Sequence, residues 1–249
     1  MRRPHLLGLT AAVSLSAGLA QAEPQAELFA AIRAGDAAGV ERLIGADPAL
    51  LRARDASGAT PLVAAAFKRL GIGFQRPEDN PVFALIARRI SEPDLVEACL
   101  LGRRAQVVSA IAADPQLVKT ATPNGRTLLH YAAYVGDAAL VDALADRGAD
   151  LDAPAAGVFL SPPIVQAILG GRMATLERLI ARGANVNARL DDGSTPLHEA
   201  AQLGEEAMVR ALIQAGADPK ALRRDGRSPR DLAAARGHAR IAELLDGLG

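Results

Sequence analysis

A ten-residue frame recurs along this chain at a nearly fixed distance, and that spacing limits the fold more than any other feature. The frame is clearest in "TPLHEAAQLG" from Thr195, and related frames open at Ala26, Thr60, Pro93, Thr127, Pro162 and Ser228. Successive starts lie 33 to 35 residues apart. A period of this size signals stacked supersecondary units, none able to bury its own apolar face without a neighbour.

The frame reads as the start of a helical pair. Thr195 can cap a helix by accepting a backbone N–H, and Pro196 fits the first helical position, where its missing donor costs nothing. Leu197, Ala200 and Ala201 fall at helical spacing, and the small alanines let a second helix approach closely. Gly204 ends the inner helix; Val209, Leu212 and Ile213 then form the apolar stripe of an outer helix closed by Gly216. Turn residues such as Asp191-Asp192-Gly193 make a short finger between neighbouring units. Composition agrees: the chain is 50% hydrophobic and 22% charged, enough to bury a core, and only 3% aromatic with no Trp. Rich in Ala, Leu and Arg, it suits close-packed short helices better than a β-sandwich. The expected fold is an all-α solenoid of about seven helix-turn-helix repeats with short finger loops.

The first 22 residues fall outside that pattern. Arg2 and Arg3 precede an apolar run from Leu6 to Ala20, and Ala20-Gln21-Ala22 supplies small residues before Glu23. This is the arrangement of a cleavable, Sec-type signal peptide. The run is shorter than the roughly 20 residues that span a bilayer, so no stable membrane insertion is expected after cleavage. The expected division is a signal peptide at 1–22 and a repeat domain at 23–249, in a periplasmic or secreted protein. With one cysteine, Cys99, no internal disulfide is available, and stability must come from packing. Cys99 replaces the second alanine of its frame, the place of a small buried thiol.

The triplet Thr60-Pro61-Leu62, the runs Thr127-Leu128-Leu129-His130 and Thr195-Pro196-Leu197-His198, and the "GAD" or "GAN" segments at Gly148, Gly183 and Gly216 resemble ankyrin repeats. The resemblance covers roughly residues 26–247. It implies structural rather than catalytic roles for Thr60, Pro61, Thr127, His130, Thr195, Pro196 and His198, and it places His238 at the start of an outer helix. Independently, a histidine that returns at the repeat period with no recurring nucleophile or metal partner reads as a hydrogen-bonding peg between adjacent units, not as a base.

Other chemistry finds little support in the residues. Gly71-Ile72-Gly73 lacks the glycine-lysine arrangement that cradles phosphate. Asp150, Asp152, Asp191 and Asp192 lack the full set of alternating oxygens that holds calcium. No catalytic residue, cofactor or metal is expected. The formal net charge is zero and the pI near 6.9, so no basic field draws nucleic acid, and the arginines from Arg223 to Arg240 are interspersed with Asp225 and Asp231.

A protein partner is the remaining class. The residue after the Ala-Ala pair points toward the groove between inner helices and fingers; in order it is Arg33, Phe67, Leu100, Tyr134, Leu169, Gln202 and Ala235. Phe67, Leu100, Tyr134 and Leu169 are thus expected to form an apolar binding column, the alternative being that they pack between neighbouring repeats. Two departures from the period add Phe74, in the insertion "LGIGFQRPEDNPVF" from Leu70 to Phe83, and Phe159, in the long finger "DAPAAGVFLS" from Asp152 to Ser161. Degenerate repeats would account for both departures equally. The chain resembles exported ankyrin-repeat proteins of Gram-negative bacteria. That resemblance implies a periplasmic interaction scaffold, with roles linked to catalase and peroxide protection or, alternatively, to immunity by occluding a toxin or enzyme. An enzyme with an unrecognised site would need acid, base and nucleophile to converge outside the repeat frame.

Overall fold

The computed structural model describes residues 23–67, 69–70, 73–74, 76–155 and 161–248. The expected signal peptide and Phe159 lie outside the described residues. Within them the chain is built of helical pairs. Helix α1 covers residues 23–34, followed by α2 (Ala37–Ala46), α3 (Pro61–Ala66), α4 (Pro81–Ala87), α5 (Leu95–Leu100), α6 (Arg104–Ala113) and α7 (Leu128–Val135). Then come α8 (Ala138–Ala145), α9 (Pro163–Leu169), α10 (Met173–Ala181), α11 (Pro196–Leu203), α12 (Glu206–Gln214), α13 (Pro229–Ala235) and α14 (Ala239–Asp246). Odd-numbered helices are the inner member of each pair and, from α3 onward, begin within the recurring frame.

The chain divides into two compact units. Among the described residues, the first comprises 23–67 together with Pro77–Ser91. Its core holds Leu28, Ile32, Val40, Ile44, Leu62 and Ile86, each at most 1% exposed. Helix α4 packs on both α2 and α3. Asn80 ties these pieces together: its Oδ1 accepts the Val82 N–H at 3.0 Å, capping α4, while its Nδ2 donates to the Ala65 carbonyl at 2.7 Å. In place of a "GAD" finger, the outer helix α2 runs into a 3-10 turn at Pro48–Arg52, with Asp47 Oδ1 accepting the Ala49 N–H. The same device follows α6 in the second unit, where Asp114 caps Pro115–Lys119. The recurring Ala-Asp-Pro-X-Leu of residues 46–50 and 113–117 is its sequence signature.

The second unit holds Arg69–Arg76 and Glu92–Gly249. Here α5, α7, α9, α11 and α13 stack in order, as do α6, α8, α10, α12 and α14, so the main contacts of each pair are with its neighbours along the row. Helix α7 buries every residue from Leu128 to Tyr134. Its C-cap, Gly136, has φ +91°, and the equivalent Gly204 after α11 has φ +81°, conformations that carry a steric penalty for other residues. Both glycines are also crowded: a Cβ at Gly136 would lie 2.8 Å from the Arg172 side chain, and one at Gly204 would lie 2.6 Å from the His238 ring. From these places Arg172 Nε donates to the Tyr134 carbonyl at 3.1 Å, and His238 Nε2 reaches the Gln202 carbonyl at 3.2 Å. Two different residue types thus satisfy the same terminal carbonyl, two positions before the glycine.

The insertion after α3 is not an irregular loop. Arg69–Leu70 and Gly73–Phe74 pair antiparallel, Arg69 opposite Phe74 and Leu70 opposite Gly73. Among the described residues these two strands and the Ala121–Thr127 bridge are the β-pairings, and the strands belong to the second unit.

Candidate functional site

The histidines define the joints of the solenoid. At the start of α7, His130 Nδ1 accepts the Thr127 backbone N–H at 3.1 Å and lies 2.9 Å from Thr127 Oγ1. Because Nδ1 accepts, the ring proton sits on Nε2, which donates to the Ser161 carbonyl of the next repeat at 3.2 Å. His198 repeats this in α11: Nδ1 lies 3.1 Å from Thr195 N and 2.9 Å from Thr195 Oγ1, and Nε2 lies 3.2 Å from the Arg227 carbonyl. Each ring completes a capping box, the part usually taken by Glu or Gln, and bridges to the following unit. Both are fully buried. Burial and the Arg126 charge push the His130 pKa down to about 4; burial, with Arg223 and Arg189, lowers that of His198. The prolines of the motif, Pro61 and Pro196, occupy the first turns of α3 and α11, and Thr60 is the N-cap of α3.

The finger row is joined in the same manner. Asp152 Oδ1 accepts the Asn185 N–H at 2.8 Å, and one repeat later Asn187 Oδ1 accepts the Asp218 N–H at 2.9 Å. Asp150 caps the turn at Asp152, and Asp192 that at Ser194. Among the described residues, no three His, Cys, Asp or Glu side chains come together as a metal site. Burial, followed by the charges of Asp137 and Asp94, pushes the Cys99 thiol up to about 12, which keeps it in the unreactive protonated form.

Of the four residues expected in the apolar column, Leu100 and Tyr134 are buried and Phe67 and Leu169 are not. Tyr134 is 0% exposed and Leu100 6%, so neither presents a free surface; both sit in the core of the second unit. Leu169 is half-buried at the end of α9, and Phe67, in the first unit, is half-buried at the C-cap of α3. At the same frame position Gln202 is half-buried, while Arg33 and Ala235 are exposed. Phe74 belongs to the hairpin through its backbone; its side chain, like Phe159, lies outside the described residues. The most exposed large apolar side chain among the described residues is Leu222, at 54% on the finger that precedes α13. The sequence offers no periodic signal for Leu222, which stands between Ala221 and the Arg223-Arg224 pair.

Beside that finger lies a charged cluster that motif reading missed. Arg223 pairs with Asp192 at 2.7 Å, joining two successive fingers, and Glu199 on the first turn of α11 faces both. Burial, reinforced by the Asp192 carboxylate, raises the Glu199 pKa to about 7, with Arg223 and Ser194 pulling the other way. A carboxyl group raised in this way is protonated in the folded chain over a range where the unfolded chain has released the proton. Its contribution to stability therefore falls as pH rises from about 4.5 to 7. Glu199→Gln is expected to raise unfolding free energy by about 1–3 kcal/mol at pH 8, the gain fading below pH 7. Urea titrations at pH 8 and pH 5 check this; equal gains at both would show that Glu199 does not titrate in this range.

Comparison with known proteins addresses the repeats. Residues 164–247 match the family model described as ankyrin repeats (3 copies), and residues 124–156 match that for a single ankyrin repeat. Similar curated proteins include the human Arf-GAP with coiled-coil, ANK repeat and PH domain-containing protein 2, 42% identical over 64 residues, or 26% of this chain and 8% of that protein. The Caenorhabditis elegans homolog of transient receptor potential cation channel subfamily A member 1 is 32% identical over 110 residues, covering 44% of this chain and 9% of the channel subunit. The mouse B-cell lymphoma 3 protein homolog is 38% identical over 77 residues, covering 31% and 17% respectively. The matched stretches are small parts of these relatives, which are animal proteins of differing description. The Arf-GAP protein is described as containing ANK repeats, and in this chain the ankyrin-repeat matches lie at residues 124–156 and 164–247.

Proposed function

We propose that this chain is an exported, non-catalytic scaffold that binds a partner protein through its inner-helix face and finger loops. The observation that carries the reading is the division of labour in the ankyrin-repeat half. The histidines, caps and finger carboxylates that would otherwise suggest chemistry are engaged in holding one repeat to the next, whereas Leu222 stands exposed on a finger. Stacked repeats commonly use such surfaces for recognition. Export is supported by the Arg2-Arg3, Leu6–Ala20 and Ala20-Gln21-Ala22 arrangement. Among the described residues no helix is long and apolar enough to cross a membrane. The resemblance to exported bacterial ankyrin proteins supports a place in peroxide protection alongside catalase, and immunity by occlusion of a toxin or enzyme is the second role it supports.

The test is affinity capture from the native compartment with tagged protein, beside the Leu222→Asp variant. An exposed substitution of this kind is expected to change stability by no more than about 0.5 kcal/mol. A partner held by the wild type and at least tenfold depleted with Leu222→Asp supports the reading, and its identity as a peroxide-metabolising enzyme or a toxin selects the role. A partner retained equally by both proteins removes the finger from the binding face, and failure of the wild type to retain any partner counts against the scaffold itself.

A further inference from the structure

Repeats four to seven are tied to one another at three recurring places on their helices, and one joint has none of the three. The first place is the peg: His130 Nε2 reaches the Ser161 carbonyl ahead of α9, and His198 Nε2 the Arg227 carbonyl ahead of α13. The second is the end of the inner helix, where Arg172 meets the Tyr134 carbonyl and His238 the Gln202 carbonyl. The third is the outer row. Arg182 at the end of α10 pairs with Asp142 of α8 at 2.8 Å and also with Asp146, and Arg240 of α14 lies 3.8 Å from Glu206 of α12. Between repeats five and six each place changes. Val165 stands where the histidine does elsewhere, and α9 begins at Pro162 with no side-chain cap. Glu205 takes the place of Arg172 and His238, and a carboxylate has no proton to give the Leu169 carbonyl. Among the described residues no ion pair joins α10 to α12. Helix α9 packs on α11 and α10 on α12, so on the helical side this joint is closed by packing alone. Packing is non-directional, whereas a hydrogen bond prescribes distance and angle. The finger side of the same joint is tied fully. Asn187 accepts the Asp218 N–H at 2.9 Å and donates to the Gly216 carbonyl at 2.9 Å, and Arg189 donates to the Leu222 carbonyl at 2.8 Å. The Arg224 N–H reaches the Asp192 carbonyl at 2.9 Å, beside the Arg223–Asp192 pair. One edge of the joint is pinned and the other is not, which is the arrangement of a hinge.

We propose that the solenoid bends between repeats five and six, about the tied fingers of residues 187–192 and 216–224, with the pair α9–α10 and the pair α11–α12 parting and closing on the helical side. The hinge goes beyond the scaffold reading and does not depend on it. Bending there alters the angle between the inner helices of repeats four and five and the finger that carries Leu222, so a partner that touches both selects one angle, and a partner confined to one side selects none.

Nitroxide labels on the full chain test the bend. Ser109, Glu177 and Glu243 are exposed on the outer helices α6, α10 and α14. Labels at 109 and 177 span the joints on one side of repeat five, and labels at 177 and 243 span those on the other, each pair roughly 20 Å apart. With Cys99→Ala and cysteines at the labelled positions, double electron–electron resonance is expected to give a 177–243 distance distribution at least twice as wide as the 109–177 one. Pro162→Thr with Val165→His rebuilds in α9 the capping residue and peg of α7 and α11, and is expected to narrow the 177–243 distribution to the width of the other. Equal widths without the rebuilt peg would overturn the proposal. So would a broad 177–243 distribution that the rebuilt peg leaves unchanged at full helicity, because the movement would then belong to the joint between repeats six and seven. Should the rebuilt variant lose helicity, Glu205→Arg, which offers the Leu169 carbonyl the donor that Arg172 gives to Tyr134, decides in its place: narrowing supports the hinge and an unchanged width overturns it.

Discussion

Replacing Leu129 with alanine is expected to lower unfolding free energy by about 3–5 kcal/mol, the upper part of the range for truncating a buried leucine. Leu129 is 0% exposed on α7, which packs on α5, α8 and α9, so the cavity opens where one repeat meets both its neighbours. In a solenoid, stability is approximately the sum of repeat terms and nearest-neighbour interfaces, and a central repeat takes part in two of these. Leu232 offers the control. It is 2% exposed on α13, the inner helix of the last repeat, which stacks on α11 alone among the inner helices. Leu232→Ala is expected to cost about 2 kcal/mol, at the low end for the same truncation. Urea unfolding monitored by far-ultraviolet circular dichroism separates the two, and Leu129→Ala should also lower the m-value as the repeats to either side lose their coupling. Equal losses at both positions would refute nearest-neighbour coupling as the main source of stability.

Acid should weaken the same joint. The folded chain holds His130 neutral until about pH 4, against an ordinary value near 6.5. The reason is geometric as well as dielectric: Nδ1 faces the Thr127 N–H, and a proton added there would set donor against donor. Between those pH values the unfolded chain binds a proton that the folded chain refuses, so stability rises with pH. The contribution is complete above pH 6.5 and disappears as pH falls to 4, in total about 3 kcal/mol for a shift of this size. His198 acts in the same direction; Glu199 opposes both between pH 4.5 and 7. His130→Ala is therefore expected to lose about 2–3 kcal/mol at pH 7, where two hydrogen bonds and buried volume are removed, and to match the wild type more closely near pH 4. Stability curves from urea titration at half-unit pH intervals give the slopes directly. A wild-type slope unchanged by His130→Ala would show that the acid transition originates elsewhere.

The sequence by itself determined the repeat. Residues that must recur for one unit to stack on the next do recur: the proline at the first turn, the alanines that allow helices to approach, the glycine at positive φ, and the histidine whose two nitrogens serve two repeats. Each is a local or nearest-neighbour requirement, so a period of 33 to 35 residues carries it into the sequence. The peg role of His130 and His198 was legible for the same reason. The candidate binding column was not. Phe67, Leu100, Tyr134 and Leu169 share one frame position, but whether such a side chain meets solvent depends on what lies over it. The raised pKa of Glu199 likewise arose from tertiary burial of its carboxyl group, reinforced by Asp192 on one finger and opposed by Arg223 on the next. Periodicity encodes contacts made again in every repeat. Contacts made once, between segments far apart in the chain, are decided only by the tertiary structure, because burial and charge proximity depend on distance in space rather than on position in the frame.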